Sequence, residues 1–111
     1  MELVLENGAI GSWTVVRVAG ELDLHTSPQL RDHTLALIGE PPVWIALDMT
    51  QVSFMDSSSL GMLVTCLKRI RERDGRLVLA GVNGSPLKVF ALTGLDRVFD
   101  LVPSTDDLPQ D

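Results

Sequence analysis

The sequence predicts an α/β fold: one mixed sheet of four to five strands flanked by helices. Three observations carry that expectation. From residue 26 onward, segments of helical periodicity alternate with short apolar runs, the pattern of crossover units. Two of those runs, residues 43–47 and 76–82, are almost wholly apolar, as strands buried on both faces of a parallel sheet are. The chain is 111 residues with 45% hydrophobic and 22% charged residues, which fits one folded domain with its own core, spanning residues 1–111.

The elements follow in order. Leu3, Val4 and Leu5 form a short strand, with Gly8 and Gly11 bracketing its turn. Residues 13–19 are β-branched and partly alternating, a second strand that Gly20, Glu21, Leu22 and Asp23 interrupt. A helix starts near Thr26 or Ser27: Thr26 and Gln29 have capping-box spacing, and Pro28 fits a first turn. Leu30, Thr34, Leu37 and Ile38 share its inner face, and Gly39 follows. Residues 43–47 are a buried strand with Asp48 at its end and a short linker to about Phe54. The strongest helix, about 57–74, carries Leu60, Leu63, Val64, Leu67 and Ile70 or Arg71 at spacings of three and four, with Asp56 or Ser57 as cap and Gly75 as stop. A strand over 76–82 comes next. Ser85 and Pro86 open a short helix with Val89 and Phe90 inward, and Thr93-Gly94-Leu95 ends it. Residues 98–102 are an edge-like segment. The acidic tail over 104–111 holds one weak helical turn or frays.

Net charge is −6, and its distribution excludes several functions. Residues 1–56 carry −6, residues 57–95 carry +4 and residues 96–111 carry −4. Lys68, Arg69, Arg71, Arg73 and Arg76 lie late in a helix, where cations complement the dipole, and Glu72 and Asp74 interrupt them. With 5% aromatics and no Tyr, this is a solvated face and not a nucleic-acid footprint. No membrane partner is expected, since no apolar run approaches the ~20 residues of a span. The acidic start lacks the basic region of a secretory signal, and the lone Cys66 forbids an internal disulfide; both point to the cytoplasm.

Familiar catalytic signatures are missing. There is no glycine-rich phosphate loop with Lys, no HExxH and no paired cysteine, so neither an enzyme nor a cofactor is expected. His25 and His33 are surface histidines rather than metal ligands. Asp23, His25 and Ser57 are the residue types of a hydrolase triad, but Ser57 lacks the Gly-x-Ser-x-Gly elbow and Asp23 and His25 crowd one loop. Asp48 sits where a phosphoacceptor of a receiver domain would, yet no acidic pair follows the earlier strand to hold a divalent ion. The informative stretch runs from Asp48 to Leu63. It sets Ser57, Ser58 and Ser59 at the start of the strong helix, where free N–H groups and the dipole tolerate a phosphate. Helix capping by the same serines is the competing reading.

This stretch resembles the signature of bacterial anti-sigma-factor antagonists of the STAS family, D-x-S-x-V-x-F-x-D-S-S-G-L-G. Asp48, Val52, Phe54, Asp56, Ser57, Ser58, Leu60 and Gly61 match it. Gly20-Glu21-Leu22-Asp23 resembles the family's other hallmark loop, and residues 75–79 and 92–99 are similar to further family segments. The resemblance implies a STAS domain without catalysis of its own. It implies a partner-switching protein that binds an ATP-dependent anti-sigma serine kinase, releases a sigma factor, is phosphorylated on Ser57, and is reset by a PP2C-type phosphatase. Ser58 and Ser59 are the alternative acceptors. Asp23, Leu24, His25, Thr26, Asp56, Ser57, Ser58, Leu60, Gly61 and Met62 are the expected contacts, in a monomer or weak dimer. Two positions depart from the pattern: Thr50 replaces Ser, and Ser59 replaces Gly, where a side chain would crowd the partner or alter the helix start. The family's C-terminal helix is expected to be short or missing. A scaffold subunit of a larger sensory assembly and a small-ligand or nucleotide-binding module are the rival functions.

Overall fold

The computed structural model describes residues 2–110. Five strands form one sheet in chain order: β1 (Val4–Ile10), β2 (Trp13–Leu22), β3 (Trp44–Met55), β4 (Arg76–Ala80) and β5 (Asp100–Val102). β1 is antiparallel to β2, and every later pair is parallel. Three helices make the crossovers: α1 (Ser27–Ala36), α2 (Ser57–Arg71) and α3 (Gly84–Thr93). Each crossover steps the sheet outward in the same direction. Parallel crossovers are almost always right-handed, so steps in one direction lay all the helices on one face. The packing agrees: Leu30 of α1, Leu63 and Leu67 of α2 and Phe90 of α3 share a core with Val16, Val18, Ile45, Leu47, Leu77 and Leu79.

Among the described residues the other face has no α-helix. Its apolar residues, Trp13, Val15, Ala46 and Val78, are covered by the C-terminal tail through Leu108. The tail expected to turn or fray forms a one-turn 3-10 helix at Thr105–Asp107. It then anchors, with Leu108 buried and the Trp13 indole donating to the Pro109 carbonyl at 2.8 Å. Arg76 stacks its guanidinium on both Trp13 and Trp44, 5.4 and 5.2 Å from the ring centroids.

Several boundaries differ from the expected ones. β1 runs through Gly8 to Ile10, because pairing with β2 holds it extended, and the turn lies at Gly11. β2 does not break at Gly20 but continues to Leu22 with shifts of register; Gly20 takes φ 125°, where a side chain would be strained. The stretch after Asp48 is not a linker. β3 extends through it to Met55, pairing with β2 alone beyond the reach of β4. Both helices end early: α1 stops at Ala36, short of Leu37 and Ile38, and α2 at Arg71. β4 ends at Ala80, since Gly81 (φ 75°) turns the chain so tightly that a Cβ there would strike Thr50 Oγ1. α3 starts at Gly84 and ends at the left-handed Gly94, as expected, with Phe90 buried.

The inner face of α2 gives a direct test. Leu67, 4% exposed, is expected to lose about 2–5 kcal/mol of stability on replacement by Ala in urea unfolding. Leu24→Ala, at 68% exposed, is expected to stay within about 0.5 kcal/mol.

Candidate functional site

The β2–β3 pair outreaches the rest of the sheet and ends in two loops at one pole. One runs from Leu22 to Thr26 into α1, and the other is the Asp56 turn into α2. Both strands are parallel, so both loops leave from carboxyl ends, where open α/β sheets place their sites. The loops are bonded together: the Asp56 amide donates to the Leu22 carbonyl at 3.2 Å, and the Ser59 hydroxyl to the same carbonyl at 2.7 Å.

Each loop is built around one carboxylate. Asp23 Oδ1 accepts the backbone N–H groups of His25 at 2.8 Å and Thr26 at 2.9 Å. These bonds, Thr26 first, hold the Asp23 carboxyl below its usual pKa. Asp56 is the N-cap of α2. Its Oδ1 accepts the Ser58 hydroxyl at 2.5 Å and the Ser59 N–H at 3.1 Å. The Ser58 hydroxyl is the main reason that the Asp56 carboxyl also lies below its usual range, against a smaller opposing effect of burial. The pole thus carries two carboxylates held ionised beside a helix N-terminus.

The three serines occupy different environments. Ser57 is exposed, Ser58 is half-buried with its hydroxyl on Asp56, and Ser59 is fully buried. Ser59 therefore does not crowd a partner; its side chain points inward to Leu22 and Ser27. Leu60 and Met62, expected as apolar contacts, are 5% and 7% exposed and belong to the core. The helical period turns them inward with Leu63. Thr26 is also buried. It makes no capping box with Gln29, because its hydroxyl donates to the Glu21 carbonyl and accepts from the Asp23 amide. Asp23, Leu24, His25, Asp56, Ser57, Ser58 and Gly61 remain at the surface. The sequence reading missed Phe54, which is 43% exposed at the end of β3 beside this turn. Strict alternation from the buried Val52 would turn Phe54 inward; the register shift between Gly20 and Glu21 turns it out, and the sequence carried no signal of that. Between α1 and α2 lies an open groove of about 220 Å³, lined by Leu24, Pro28, Arg31, Ser58, Gly61 and Thr65 among others.

The other candidates are accounted for. The Asp23 carboxylate is occupied by its own loop's backbone, so it does not orient His25 as a triad would. Asp48 Oδ1 accepts the N–H and hydroxyl of Thr50, and Oδ2 lies 3.9 Å from Arg17. His33 pairs with Asn7 at 2.6 Å. Among the described residues no His, Cys, Asp and Glu cluster could hold a metal, and no helix is long and apolar enough to cross a membrane. Burial pushes the Cys66 thiol up to about 11, so it is a core residue and not a nucleophile.

Comparison with known proteins places this architecture among relatives. The model of the STAS domain family matches residues 4–108. The anti-sigma-B factor antagonist of Listeria monocytogenes is 33% identical over 84 residues, covering 76% of this chain and 74% of the relative. An anti-sigma factor antagonist from Mycobacterium paratuberculosis superposes with a TM-score of 0.84 at 26% identity, covering 96% of this chain and 90% of that one. The Bacillus cell-fate determinant SpoIIAA, solved in its phosphorylated form, superposes with a TM-score of 0.67 at 30% identity, covering 95% and 94%.

The Asp56 cap sets a pH dependence. Asp56→Ala is expected to cost about 1 kcal/mol at neutral pH. A carboxyl with a depressed folded pKa stabilises above its unfolded pKa and loses that contribution as pH falls through the folded value. Urea titrations of both proteins should therefore differ at neutral pH and converge well below the carboxylate range.

Proposed function

The chain belongs to the STAS domain family, and we propose that within it the chain is an anti-sigma-factor antagonist switched by phosphorylation of Ser57. It binds an ATP-dependent anti-sigma serine kinase through the Asp56 pole and so releases a sigma factor. The kinase transfers the γ-phosphoryl group of ATP to Ser57 Oγ, the hydroxyl proton leaves and ADP is the product. A PP2C-type phosphatase removes the phosphate by hydrolysis. The chain supplies a surface and an acceptor, not catalysis.

The observation that carries this reading is the sorting of the three serines. The Ser57 side chain stands exposed at the first position of α2, while the hydroxyls of Ser58 and Ser59 are engaged and half or fully buried. The exposed apolar side chains of Leu24 and Phe54 provide contact area on the two strands' ends. Phosphorylation adds about −1.5 to −2 charges next to the ionised Asp56, at a helix N-terminus that tolerates them. The fold therefore survives, and a partner surface fitted to a neutral hydroxyl does not. The phosphorylated form of SpoIIAA is a relative in which the fold carries such a modification.

Incubation with the cognate kinase and ATP, followed by site-localising mass spectrometry, is expected to place one phosphate on Ser57. Ser57→Ala should bind the kinase and resist phosphorylation. Ser57→Asp should bind at least tenfold more weakly, a difference of about 1.4 kcal/mol, with a melting temperature close to that of the wild type. Phosphate on Ser58 or Ser59 with Ser57 unmodified would refute the assignment.

A further inference from the structure

The two loops of the pole meet through a pair of hydroxyls that the phosphorylation reading does not use. Ser27 Oγ lies 2.8 Å from Ser59 Oγ, and the two residues are 4% and 0% exposed. Ser59 Oγ also lies 2.7 Å from the Leu22 carbonyl, and Ser27 Oγ 2.6 Å from the Asp23 carbonyl. Ser59 Oγ is also 3.1 Å from Asp56 Oδ1, and each hydroxyl has one proton to donate, so two protons serve four contacts. The carbonyls do not depend on them. The Asp23 carbonyl accepts the Ser27 N–H at 2.9 Å, and the Leu22 carbonyl accepts the Asp56 N–H at 3.2 Å. The pair therefore runs as a chain in either sense: Ser27 to Ser59 and on to Leu22 or Asp56, or Ser59 to Ser27 to Asp23. Both senses use every proton and leave no buried donor orphaned.

We propose that the Ser27–Ser59 pair is a positioning clamp. It fixes the Leu22–Thr26 loop, which carries the exposed Leu24, against the acceptor turn of Asp56 and Ser57, so that a partner meets both as one preformed surface. The functional half of this inference rests on the reading of the pole as a partner surface. Binding to a preformed surface avoids the cost of ordering it on contact. The clamp reaches back to α1, whose first residue is Ser27, and forward into the first turn of α2. It thereby ties the starts of the two helices that flank the groove. Ser59 contributes through its side chain, at the position where the resembling signature carries Gly.

The geometry also makes the test clean. Without Ser59, the Ser27 hydroxyl still donates to Asp23; without Ser27, the Ser59 hydroxyl still donates to Leu22. Ser27→Ala thus removes the link together with the Ser27 hydroxyl's contact to Asp23, Ser59→Ala removes it together with the Ser59 hydroxyl's contacts to Leu22 and Asp56, neither strands a donor, and both variants should fold. In amide hydrogen exchange on the free protein, each single variant is expected to speed exchange in both loops, residues 22–27 and 56–60. Exchange in β3 and β4 should be unchanged, and the double variant should be no faster than the faster single. Acceleration confined to the substituted loop, or additive effects, would overturn the clamp. In the second arm, the cognate kinase's dissociation constant for either single variant is expected to rise about three- to tenfold, the range of one lost hydrogen bond. The phosphorylation rate of the saturated complex should stay constant. Wild-type affinity with loosened loops would overturn the positioning role. A kinase that fails to bind the wild-type chain would remove the reading of the pole, while hydrogen exchange still decides the clamp.

Discussion

The rest of the structure depends on one topological constraint: three parallel crossovers of the same hand, each stepping the sheet in the same direction. That constraint collects α1, α2 and α3 on one face and makes the main core a two-layer sandwich of helix and sheet. A parallel sheet normally needs cover on both faces. Here the second cover is about eight residues of tail. Leu108 supplies the apolar contact, the Trp13 indole fixes the backbone at Pro109, and Arg76 lies on the two indoles. Arg76 keeps its charge at the rim while its planar group covers aromatic surface.

The same topology explains where the site lies. β2 and β3 are the longest strands, and their carboxyl halves extend past β4 as a two-stranded ribbon. The ribbon delivers its loops beyond the sheet, each to the start of a helix. An unsupported pair of loops would be mobile, and the bonds at the pole answer that. Leu22 holds Asp56 and Ser59, Asp23 organises its own turn, and Asp56 caps α2. Of the three serines at the start of α2, Ser58 and Ser59 are committed to holding the surface in shape, and Ser57 is the exposed one.

How much of this was legible follows from what each residue's pattern measures. The period of Leu60, Leu63 and Leu67 gave α2, and the runs at 45–47 and 77–79 gave two central strands, because burial dominates there. Val43 to Leu47 read as a complete strand since Asp48, Thr50, Gln51 and Ser53 look like loop. In the fold those polar residues face outward from a ribbon open to solvent, while Met49, Val52 and Met55 point in. The motif around Asp56 singled out the candidate pole. It could not say which of its residues face solvent, and Leu60 and Met62 went to the core because the helix period outranks motif membership. The hydroxyl pair was invisible, since Ser27 and Ser59 are 32 residues apart and their meeting depends on how two helix starts converge. Serine at a helix start reads as capping in any sequence.

The placement of the two tryptophans has an optical consequence. The chain has two Trp and no Tyr, so Trp13 and Trp44 dominate its near-ultraviolet absorption and emission. Both sit at the amino ends of β2 and β3, with centroids 5.2 Å apart and Arg76 against each ring. Asp23 and Asp56 follow the carboxyl ends of the same strands, towards the other end of a molecule 31 Å long. Intrinsic emission is therefore a reporter of the face beneath the tail. It registers release of Leu108 or loss of the sheet, and it is blind to charge and contacts at the pole. An observer following docking or phosphorylation by tryptophan emission would record silence from a protein whose opposite end has changed state.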